Sequence, residues 1–151
     1  MADTKDATIL NTLIATLFDS IDGYEKSAGD IRDPRIAQMF TSRAEERRRA
    51  VVGLQEAVRT AGGEPEDEGS TAGAAHRMFL NLKEAVTGTD DKAIVNEVER
   101  GEDYLKGKFE AALNDGDLTG ETRAAVERCY QSVREGHDQM SHLKHGMEAS
   151  S

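Results

Sequence analysis

Several residues able to hold a metal ion or a proton recur in this chain at helical spacing. Glu45 and Glu46 precede Arg47-Arg48-Arg49, Glu99 stands three before Glu102, and Arg134 stands three before His137, with Glu135 and Asp138 beside them. Residues three or four apart on a helix share a face, so such a pair can present two groups to one ion. A two-metal carboxylate centre inside a helical bundle takes one Glu from each of two helices and a Glu-x-x-His pair from each of the other two. Here Glu46-x-x-Arg49 and Glu45-x-x-Arg48 carry arginine in the histidine place, and Arg134-x-x-His137 carries arginine in the carboxylate place. The candidate ligands are Glu46, Glu99, Glu102 and His137. They make either an incomplete iron site or a single weaker metal site.

The same residues support a plainer chemistry. An arginine can stand where a cation would and take a carboxylate through two parallel hydrogen bonds. Arg47 or Arg49 is therefore expected to pair with Glu99 or Glu102, and this ion-paired interior, without cofactor, is the favoured reading; iron is the alternative. Counting antiparallel register from the turn near Ile31 places Thr16 opposite Glu46, with Asp19 the nearest carboxylate. The same count from Asn114–Leu118 places His137 opposite about Asn96, roughly 9 Å from the level of Glu102.

Other reactive types read more simply. Cys129 is expected to be an inert, half-buried thiol, since no cation is foreseeable beside it. Tyr24 and Tyr130 fall on packing stripes. His142 and His145 are three apart, which suits a metal, but they are expected in a frayed C-terminal tail as a solvated pair. His76 caps or packs. The three consecutive arginines, flanked by Glu45 and Glu46 and poor in aromatic neighbours, read as a solvated helix face and not as a nucleic-acid patch. Glu64-Pro65-Glu66-Asp67-Glu68 reads as an exposed acidic loop without the ligand spacing of a calcium-binding loop.

Long apolar stripes must position these groups. Leu10, Ile14, Leu17, Ile21, Tyr24 and Ala28 form the first, in a helix from about Thr8 to Ala28. Asp33 and Pro34 suit the N-cap and first turn of a second, with Ile36, Phe40, Ala44, Arg47, Val51, Leu54 and Val58 inward and Gly62-Gly63 at its end. A shorter helix capped by Ser70 or Thr71 follows, with Ala75, Met78, Phe79, Leu82 and Val86. Thr89 or Asp90 caps the next long helix, whose inward set is Val95, Val98, Glu102, Leu105, Phe109 and Ala112. A last helix after Thr119 points Val126, Tyr130, Val133, His137, Met140 and Met147 inward. Three of the four long stripes thus carry a polar or charged residue near the middle, where an ordinary core would carry Leu, and buried charge is costly unless paired or bound to metal. The short, long, short order of connections predicts an all-α, ferritin-like four-helix bundle with a short extra helix in the crossover between helices two and three. An up-and-down bundle with an added fifth helix is the competing topology. Residues 8–147 make one domain, with 1–7 and 148–151 as flexible termini.

Bulk properties bound the function. The 151 residues carry a formal charge of -10, one Cys, two Pro and no Trp. An acidic surface repels nucleic acid and anionic membranes, and no apolar run approaches the roughly 20 residues of a membrane span. A lone cysteine and the lack of an apolar leader after Met1 point to reducing cytoplasm. Partners, if any, are then other proteins or a second copy in a homodimer, for which Val51, Val52 and Leu80 are candidate contacts.

Two strings carry a family likeness. One is Gly62-Gly63-Glu64-Pro65-Glu66-Asp67 with Ala75-His76-Arg77 and Asn81-Leu82-Lys83. The other is Thr87-Gly88-Thr89-Asp90-Asp91-Lys92-Ala93-Ile94 running into Glu97-Val98-Glu99-Arg100-Gly101-Glu102-Asp103. From about Leu10 to Leu143 the chain resembles a bacterial family of ferritin-like four-helix bundles of unknown function. The resemblance implies that fold and a bacterial cytoplasmic setting, often stress-linked; it implies no reaction.

Overall fold

A computed structural model describes residues 4–67, 90–116, 118 and 120–149. They form four helices: α1 (Thr4–Asp30), α2 (Pro34–Thr60), α3 (Asp91–Leu113) and α4 (Gly120–Ala149). No strand occurs among the described residues. The protein is an all-α four-helix bundle. The shorter helix expected at Ser70–Val86 lies outside the described residues.

Local chemistry sets the helix ends. Asp33 caps α2 by accepting the Arg35 N–H at 2.9 Å, with Pro34 in the first turn. Asp90 does the same for α3 through the Lys92 N–H, also at 2.9 Å. Each removes one orphan donor of a helix start. Gly62, at φ 85°, lets the chain turn back so that Gly63 N–H reaches the Val58 carbonyl at 2.9 Å, a closure that left-handed backbone permits and glycine adopts at no steric cost. The outer ends run further than the apolar stripes, because α1 begins at Thr4 and α4 continues through Ala149. His142 and His145 therefore lie on regular helix, both exposed, and not in a frayed tail.

Helix directions follow from side-chain contacts between the helices. Asn11 bonds Glu64 and Glu66 backbone while Arg48 pairs with Glu25, so α1 and α2 are antiparallel. Tyr130 meets Glu110, His137 meets Asp103 and Lys144 meets Glu99, so α3 and α4 are antiparallel as well. Asp91, opening α3, accepts the N–H groups of Arg32 and Asp33 at 2.9 and 3.1 Å in the α1–α2 turn. Both α2 and α3 thus start at one end of the bundle and run parallel. The connection from Ala61 to Asp90 joins opposite ends, about 40 Å apart for a 27-residue helix. Around the bundle, α1 packs on α2 and α3, and α4 packs on α2 and α3, which leaves α2 facing α3 across the diagonal.

The core is not continuous. One apolar cluster gathers Leu10, Leu13, Leu17, Ile21, Val51, Leu54, Leu105, Phe109, Val126 and Val133. A second gathers Tyr24, Ile36, Phe40, Ala44, Val95, Val98 and Met140. Between them lie small or polar residues from every helix, among them Ser20, Arg47, Glu102 and Gly136, all buried. The inward sets expected for the second and third long helices are buried without exception. On α4 the inward set is shifted: Val126, Val133 and Met140 are buried, whereas Tyr130, His137 and Met147 are only partly so. Of the proposed surface contacts, Val51 is core at 3 % exposure and only Val52, at 58 %, is open to solvent; Leu80 lies outside the described residues.

Candidate functional site

Arg47 and Glu102 meet across the bundle diagonal. Arg47 Nη1 and Nη2 donate to Glu102 Oε1 and Oε2 at 2.9 and 2.7 Å, the two-pronged geometry that matches a guanidinium to a carboxylate. Nη1 also donates to Ser20 Oγ at 3.0 Å. The Tyr24 ring lies 5.7 Å from Arg47 Cζ and tilts at 60° against Phe40, so the guanidinium rests near an aromatic face. Arg47 Nε and the Tyr24 hydroxyl have no hydrogen-bond partner of acceptable geometry.

Electrostatics keep Arg47 charged. Burial works to discharge Arg47, but the Glu102 charge and its hydrogen bonds outweigh burial and hold the guanidinium above its ordinary value. The Tyr24 hydroxyl is pushed well above the usual phenol range, first by burial and then by the Glu102 charge, with Arg47 and Arg43 pulling the other way. Cys129 is buried, and that burial pushes its thiol up to about 12 against the opposing pull of Arg47. The cation not foreseen beside Cys129 is thus Arg47, and the thiol is buried where half-burial was expected. At about pH 8 the folded chain should hold on the order of a thousandfold less thiolate than a free thiol. Iodoacetamide should label Cys129 slowly in the native protein and readily in denaturant. The raised value means the unfolded chain releases its proton first, so this contribution to stability is intact below about 9 and is lost as pH climbs towards 12.

Glycine at position 136 makes the layer possible. A Cβ there would sit 2.3 Å from Arg47 Nη2, 3.1 Å from Arg43 Cδ and 3.1 Å from Glu102 Oε2. The α4 backbone closes over the ion pair, and a mid-helix glycine, ordinarily about 1 kcal/mol worse than alanine, is the residue that fits.

The four candidate metal ligands fall in three places. Glu102 is bound to Arg47. Glu46 accepts from Arg43 Nη1 at 2.7 Å and bonds Ser132 Oγ on α4. Glu99 and His137 come together with Asp103, their ligand atoms all within 4.8 Å of one another. Arg49 is exposed and takes no part. The register counts need correction. His137 faces Asp103, with Nε2 at 2.5 Å from Oδ1, and not the level of Asn96. The turn is asymmetric: Arg123 on α4 donates to the carbonyl of Leu113, the last residue of α3, and to those of Asp115 and Leu118, which holds the first turn of α4 against the end of α3 and the loop. Likewise Arg47 reaches Ser20, a turn beyond the level counted from Thr16.

A two-metal centre does not fit these residues. It would need several carboxylates and two imidazoles converging at the middle of the bundle. Arg47 engages both Glu102 oxygens there, and among the described residues the one trio with metal-binding spacing excludes Glu102 and lies at the α3–α4 seam.

Fold and interior define a class, that of four-helix bundles whose middle layer is an arginine–carboxylate pair. The family described as "Domain of unknown function (DUF2383)" matches residues 5–115, and the chain belongs to it. Comparison with curated proteins finds no match. No described helix is long and apolar enough to cross a membrane.

Proposed function

We propose that this chain is a non-catalytic, ferritin-like bundle acting as a small cytoplasmic protein, stress-associated or partner-binding, whose partner is another protein or a second copy of itself. The observation that carries this reading is the Arg47–Glu102 pair: a fixed cation occupies the position where a redox metal centre would need free carboxylates. The parallel α2 and α3, with a connection joining opposite bundle ends, support the ferritin-like topology. Stress association and a bacterial origin rest on the likeness of the Gly62–Asp67 and Thr87–Asp103 strings.

Iron handling in the bundle centre is the competing function, and metal counting separates the two. The untagged protein is loaded anaerobically with Fe(II), desalted and analysed for iron, alongside Glu102→Gln. Our reading expects no iron whose retention depends on Glu102, together with a mass that rises with concentration in sedimentation velocity or a co-purifying protein. Two irons per chain, lost with Glu102→Gln, would overturn it.

A further inference from the structure

We infer that Glu99, Asp103 and His137 form a binding site for one divalent transition-metal ion on the α3–α4 seam, outside the bundle centre and independent of the function proposed above. Glu99 and Asp103 are four residues apart on α3, so their carboxylates stand one above the other on one face. His137 projects from α4 onto that face, and one ligand atom from each residue lies within 4.8 Å of the others. An ion bound at the usual 2.0–2.2 Å would take the place of the direct contact between His137 Nε2 and Asp103 Oδ1, now 2.5 Å apart, so these two ligands must part to admit it.

The histidine is held as a ligand needs to be held. Its Nδ1 faces Asp138 Oδ1 at 3.2 Å, while Nε2 points at Asp103 Oδ1 at 2.5 Å. A carboxylate on one ring nitrogen fixes the tautomer and aims the other nitrogen, an arrangement common to metal-bound histidines. Asp138 is therefore a positioning residue and not a ligand. Exposure suits an ion that keeps water in its shell: the side chains of Glu99 and His137 are 14 % and 16 % exposed, that of Asp103 57 %.

Donor chemistry selects the ion. Calcium and magnesium prefer all-oxygen shells, whereas one imidazole and two carboxylates suit zinc, cobalt, manganese or iron(II). Charge also favours a cation. The adjacent Glu102 is already neutralised by Arg47; the positive neighbours are Lys144, whose Nζ lies 3.8 Å from Glu99 Oε1, and Lys106, whose charge reaches His137. Lys144 is the group an incoming ion displaces.

The test is titration of the full-length, chelator-stripped protein with Co(II), followed by calorimetry and visible absorption, with Zn(II) as competitor. One Co(II) per chain is expected. Asp103→Asn should weaken binding at least about tenfold and His137→Gln more, whereas Asp138→Asn should weaken it about tenfold at unchanged stoichiometry. The double variant His142→Gln/His145→Gln should bind as wild type. All variants are compared at temperatures where their circular dichroism matches that of wild type. Absence of Co(II) binding at millimolar concentration, binding indifferent to Asp103→Asn and His137→Gln, or binding abolished by the His142/His145 change would each overturn the assignment.

Discussion

Arg47→Met should destabilise the protein by about 3–5 kcal/mol, read as a lower urea midpoint at constant slope. The figure follows from what is left behind. With Arg47 gone, the Glu102 carboxylate remains at 1 % exposure between two apolar clusters, stripped of its two charge-assisted hydrogen bonds. A buried charge without a partner is far more costly than a buried pair is beneficial, because both ions have already lost their water. The double variant Arg47→Met/Glu102→Leu should therefore recover most of the loss, and can exceed wild type, since apolar side chains of similar volume fill the layer without desolvation cost. A loss below about 0.5 kcal/mol for the single variant would be that of an exposed residue and would contradict the burial described here.

Gly136→Ala should cost a net 1–3 kcal/mol or so, although alanine is the better helix former by about 1 kcal/mol. Its methyl would sit 2.3 Å from Arg47 Nη2. An arginine end is flexible in water, but this one is held by Glu102 and Ser20 and walled in by both clusters, so moving aside breaks the paired hydrogen bonds. The effect should vanish or reverse sign in the Arg47→Met/Glu102→Leu background, where nothing charged occupies the space. Non-additivity of that kind marks residues in direct contact, and the four melts together measure it.

Sequence pattern was enough for the four helices and for the inward faces of α2 and α3, because a stripe broken only by Arg47 or Glu102 keeps its period. It also set out the pairing of an arginine with a stripe glutamate. The partners that complete the layer were harder to see. Ser20 and Gly136 lie beside their stripes, and their roles depend on how closely two helices approach, which periodicity does not encode. A glycine in mid-helix, between Glu135 and His137, was the one available signal. Asp103 was missed for a different reason. It is exposed and off the stripe, and it meets His137 because the turn before α4 is asymmetric, with Arg123 reaching back to the carbonyls of Leu113, Asp115 and Leu118. A symmetric count from the turn midpoint cannot contain that information.

Arg47 is locked against Glu102 in the middle of the bundle, and nitrogen-15 NMR of the arginine side chains tests this most directly. Two-pronged pairing blocks rotation of the guanidinium and burial shields its protons, so Arg47 should give separate, slowly exchanging Nη–H resonances near neutral pH that disappear in Arg47→Met. A single averaged, rapidly exchanging Arg47 signal, like that of exposed Arg49, would contradict the account.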